Sequence, residues 1–114
     1  MVNTERLNAI RQVRQALDAV ASARFDPALP TADRQQLETA YGALDEVEGG
    51  LILQEIADRL DALRSDSAKL GGLAKKMAQS AQRLQVIVDL IDKAAKAIGT
   101  LADLAAKASS AGLA

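Results

Sequence analysis

The chain has no histidine, no cysteine and no tryptophan, and its 114 residues include two aromatic side chains, Phe25 and Tyr41. Lack of histidine removes the usual general base and the commonest metal ligand. Lack of cysteine removes any disulfide and any thiol nucleophile. Charge of one sign is also missing: 14 basic residues face 15 acidic ones, for a net charge of −1. That balance exerts no long-range pull on nucleic acid or anionic lipid. No uninterrupted apolar run is present. The greasiest stretch, Leu84 to Ala105, still carries Asp89, Asp92, Lys93, Lys96 and Asp103. Each would cost about 2.5–3.5 kcal/mol at a bilayer centre. The segment after Met1 is charged and amphipathic, unlike the apolar core of an export signal. With no signal peptide or transmembrane helix in view, a soluble, cytoplasmic chain is expected.

What is abundant is helix former: 24 alanines and 16 leucines. Both lose little entropy in a helix. Residues suited to strands are sparse and never alternate over a strand's length. The expected fold is all-α, an antiparallel bundle of about four helices in one domain spanning 1–114. Area scaling gives such a compact form a surface of about 6,000 Å².

Helix 1 is expected at about 4–24, capped by Thr4, with Leu7, Ile10, Val13, Leu17 and Val20 on one apolar stripe. The 25–30 linker carries Pro27 and Pro30. Proline stops a helix and pushes the preceding residue out of α geometry. Helix 2 should run from Thr31 as N-cap to about 48, with Leu37, Ala40, Tyr41, Leu44 and Val47 on its stripe and Gly49-Gly50 as its stop.

From Leu53 the apolar residues follow a heptad. Taking Leu53 as position a, the a series is Leu53, Leu60, Ser67, Ala74, Ala81, Val88, Ala95 and Ala102. The d series is Ile56, Leu63, Leu70, Met77, Leu84, Ile91, Ile98 and Ala105, so Ser67 is the single polar residue of the sixteen. Two readings fit: two amphipathic helices in succession, or one long coiled-coil-like helix. A straight helix drifts about 20° per heptad from this register, so the pattern needs a supercoil or a restart. Ser65-Asp66-Ser67 and Gly71-Gly72 are the candidate breaks. This places helix 3 at about 51–64, helix 4 at about 68–108, and a tail at 109–114.

The C-terminal half of helix 4 is apolar over more than half its circumference, because Ile87, Ala94 and Leu101 at position g and Leu90, Ala97 and Leu104 at position c extend the a/d seam, with Leu73 at g nearer its start. At about 60 Å it would outreach helices of about 30 and 25 Å. That mismatch points to a homo-oligomer or a helical protein partner, met by Leu73, Met77, Leu84, Ile87, Val88, Ile91, Ile98 and Leu101. The halves also differ in charge: −4 over 1–64 and +3 over 65–114.

For catalysis the candidates are carboxylates, with Glu46, Glu48 and Glu55 near the first glycine pair. Without a histidine or a metal motif they read as solvated surface. Neither glycine pair has the spacing of a phosphate loop, and no EF-hand spacing or Glu-x-x-His pair occurs. Lys69, Lys75, Lys76 and Arg83 form a modest basic patch with no aromatics interleaved, as do Arg6, Arg11 and Arg14. Nucleic-acid binding is therefore not expected. No cofactor, no metal and no small-molecule substrate are expected. The favoured reading is a non-catalytic helical interaction module. The alternative is a membrane-active amphipathic protein, pore-forming or lipid-binding. Against it, the apolar face over 84–105 has no Trp or Tyr for the interface and no Lys-rich rim.

Overall fold

Among the described residues of the computed structural model the elements follow one another as α1 Val2–Ala23, α2 Thr31–Leu53, the short 3₁₀ turn η1 Ile56–Arg59, α3 Leu60–Ser80 and α4 Gln85–Ser110. The structure describes residues 2–53, 55–80 and 84–110, and the side-chain surroundings of 3–53, 55–56, 58–79 and 84–107. Among the described residues there is no strand. The expected all-α bundle is what forms.

Helix direction follows from the side-chain contacts. Arg6 Nε donates to the Leu51 carbonyl at 2.6 Å, Arg14 meets Glu48 at 2.8 Å, and Arg24 meets Glu38 at 3.4 Å. Numbers rise along α1 as they fall along α2, so the two are antiparallel. Ser67 of α3 donates to the Ala95 carbonyl of α4 at 2.8 Å, and the four residues between these closely packed helices leave room only for an antiparallel pair. Helix α1 packs on α2 and α4, α3 packs most extensively on α4, and α2 meets α3 least. The ring order is α1-α2-α3-α4, running up, down, up, down. Its extents are 52 × 23 × 17 Å. The surface is 6520 Å², near that expected for a compact chain of this mass.

The α1–α2 linker behaves as its prolines require. Asp26 Oδ1 accepts from the Ala28 N–H at 2.9 Å, and the Asp26 carbonyl accepts from Arg34 Nη2 at 2.9 Å. The Arg34 N–H donates to the Pro30 carbonyl, which makes Thr31 the first helical residue and not the cap. Helix α1 begins by Val2, so Thr4 lies inside it. Leu7 is 63% exposed, and the buried stripe of α1 is Ala9, Val13, Ala16, Leu17 and Val20.

Two expected breaks do not occur. Helix α2 runs through Gly49-Gly50 to Leu53. Two internal glycines cost about 2 kcal/mol of propensity, but continuing the helix carries Leu51 into full burial, worth about 1.5–3 kcal/mol. Packing outweighs propensity. The second correction is larger. Helix α3 passes unbroken through Ser65-Asp66-Ser67 and Gly71-Gly72 and ends at Ser80, and α4 begins at Gln85. The polar side chains that read as caps serve tertiary contacts: Ser67 bonds to α4, and Asp66 pairs with Arg59 at 3.1 Å.

The expected rod over 68–108 is thus two antiparallel helices. The four helices have 22, 23, 21 and 26 residues. They match in length, and the mismatch that argued for a second chain is gone. Ser109 and Ser110 belong to α4, while 111–114 lie outside the described residues.

Candidate functional site

Helix α4 is the most amphipathic element and the most extensively packed one. Ile87, Val88, Ile91, Ala94, Ala95, Ala97, Ile98, Leu101, Ala102 and Ala105 are all buried, and so is Leu84 just before it. Small alanines let α1 and α3 approach on two sides, and the large residues between them fill the interhelix gaps. Of the residues expected to form an interaction face, Met77, Leu84, Ile87, Val88, Ile91, Ile98 and Leu101 are at most 7% exposed. Leu73 is half-buried at the rim of an open groove between α2 and α3. Apart from Leu73, these side chains lie in the core of one chain and not on an open surface. The reason is that α3 ends at Ser80 and α4, starting at Gln85, packs back along it, which folds the stripe on itself.

On the outer side of α4, Lys96 meets Asp92 at 2.9 Å, and Asp89 accepts from the Gln85 amide at 2.9 Å. These are exposed i,i+4 contacts of a few tenths of a kcal/mol. Glu48 of the carboxylate group is paired with Arg14, while Glu46 and Glu55 are exposed. No group of three or more metal-binding side chains occurs among the described residues.

A second feature was not legible in the sequence. At the joint between α2 and α3, the Arg59 guanidinium lies over Gly50, where a Cβ would overlap it, and reaches Asp66 at 3.1 Å. Arg59 is 9% exposed, and its Nη1 has no hydrogen-bond partner. Burial of Asp66 pushes its carboxyl above the ordinary 3.8, and the Arg59 charge and hydrogen bond offset part of that rise. A carboxyl with a raised folded pKa holds its proton more tightly in the folded chain. Its contribution to stability therefore grows as pH falls through the raised pKa toward 3.8, and is lost as pH rises. Wild-type protein should gain stability relative to Asp66→Asn on acidification through that window. Urea melts of both proteins across the window check this, and a wild type that loses ground to the variant would refute it.

The exposed large apolar side chains are Leu7, Phe25, Ile52, Leu53 and Val86. Leu7, Ile52 and Leu53 lie at one end of the bundle, where Arg6 ties α1 to the last carbonyls of α2. Phe25 lies at the other end, with the Arg24 guanidinium 5.1 Å from its ring and 4.2 Å from that of Tyr41. No helix among the described residues is long and apolar enough to cross a membrane. No protein-family model matches the chain, and no curated protein or solved structure is detectably similar to it.

Proposed function

We propose that the chain is a non-catalytic helical module that acts by association, with a second copy or a helical partner, through the apolar face of α4. One observation supports this reading: every d position from Ile56 to Ala105 is buried at strict seven-residue spacing. That is the pattern of helices that pair along a seam. In the closed bundle the seam is filled from within, so a partner reaches it when α4 parts from α3. The lack of cysteine fits a cytoplasmic setting.

Light scattering coupled to size exclusion tests the reading. Wild-type protein should populate an oligomer whose share rises with concentration, and its melting midpoint should rise with it. A monomer with a concentration-independent midpoint would overturn it. Dye release from neutral liposomes, lost in a variant carrying Ile87→Lys, would replace the protein partner with lipid.

A further inference from the structure

We infer that the α3–α4 hairpin opens and that two copies of this chain exchange α4, each supplying the helix that packs on the other's α1 and α3. This rests on the proposed association through the α4 face and names its partner as a second copy.

The first observation is phase. A hairpin turn places no demand on the register of the helices it joins. From α3 into α4, however, the buried series runs Leu63, Leu70, Met77, Leu84, Ile91, Ile98 without a slip. The turn between α2 and α3 is the control. There the buried series Leu37, Leu44, Leu51 would continue to Asp58, and the series Ala40, Val47 would continue to Gln54 and Asp61. A helix drawn straight through that turn would have a polar seam. A helix continued from Leu60 to Ser110 has an apolar one, with Ser67 as its single polar residue.

The second observation is composition. The α1–α2 linker contains Asp26, Pro27 and Pro30, which no helix could absorb. The sequence joining α3 to α4 is Ala81-Gln82-Arg83-Leu84. It contains no proline and no glycine, and each of its residues ranks high as a helix former.

The third observation is specificity. Ser67, the single polar residue of the seam, donates to the Ala95 carbonyl at 2.8 Å, and a Cβ on Gly99 would lie 3.1 Å from the Ser67 hydroxyl. This contact sets the level of α4 against α3 whether the two come from one chain or two. Exchange recreates the packing of the closed bundle, so the balance lies between one turn, extra helix and the entropy of pairing, and concentration tips it.

The chain has no cysteine, so Lys69→Cys and Lys93→Cys introduce two unique spin-label sites. Both positions are exposed. They stand at the same level of the hairpin, because each is two residues from the Ser67–Ala95 contact toward the turn. Doubly labelled chain is diluted into excess unlabelled chain, refolded at high concentration, and its dimer fraction isolated. In the closed hairpin the labels lie about one interhelix spacing apart, roughly 10 Å between axes. In the exchanged dimer they lie 24 residues apart on one helix, about 36 Å. A long distance in the dimer supports exchange. A dimer keeping the short distance overturns exchange and leaves association through some other surface standing. A chain that is monomeric at every concentration overturns both. As a second variant, Gln82→Pro bars a continuous helix, and the dimer yield should fall at least tenfold. An undiminished yield would also overturn exchange.

Discussion

Ile91→Lys is expected to abolish the folded state. Ile91 is fully buried at the centre of α4. Removing its side chain alone would cost about 2–5 kcal/mol. The ammonium adds the desolvation of an ion with no partner, several kcal/mol more if it stays charged. A domain of this size has about 5–15 kcal/mol of stability in all. Circular dichroism should show loss of the cooperative helical melt at ordinary temperature. Val86→Lys changes the same helix at a position 74% exposed and should melt within a few degrees of wild type. The contrast decides what the α4 face is in a single chain. If the seam were an open interface, Ile91→Lys would give a well-folded monomer, and that result would contradict the bundle.

The second large effect is a difference between two adjacent glycines. Alanine at position 49 meets nothing within 4 Å, so Gly49→Ala removes a helix-destabilising residue and should stabilise by about 0.5–1 kcal/mol. Alanine at position 50 overlaps the Arg59 guanidinium. Arg59 must then shift, which disturbs its 3.1 Å pair with Asp66 in a site where both are largely buried. Overpacking of this kind costs about 1–3 kcal/mol, more than the propensity gained. Thermal or urea melts should therefore move in opposite directions for the two variants. Equal stabilisation by both would show that Arg59 swings out freely. The pair Gly50→Ala with Arg59→Met separates the overlap from the backbone term.

The glycine pair also shows where local reading stops. Propensity marks Gly49-Gly50 as an end, at a penalty of about 1 kcal/mol per residue. It does not register that Val47 and Leu51 on either side are buried in the core. Ser65, Asp66 and Ser67 fail in the same way. Each is a good cap in isolation, and two of them are held by partners on η1 and α4 that are 7 and 28 residues away. The end of α3 at Ser80 left no local trace, because the residues that follow it in sequence are helix formers and the heptad phase is unbroken.

Composition and periodicity by themselves determined the all-α class, the proline-bounded α1–α2 connection, and which side of α3 and α4 is apolar. They did so because helix propensity, proline geometry and the seven-residue spacing act over one or two turns of chain. Tertiary structure alone decided where the apolar seam folds back, and therefore that it is filled by its own chain. Burial of α4 between α1 and α3 is worth more than any local signal at Ser65–Ser67 or at the glycines. The residues that make that burial lie tens of positions apart in the chain.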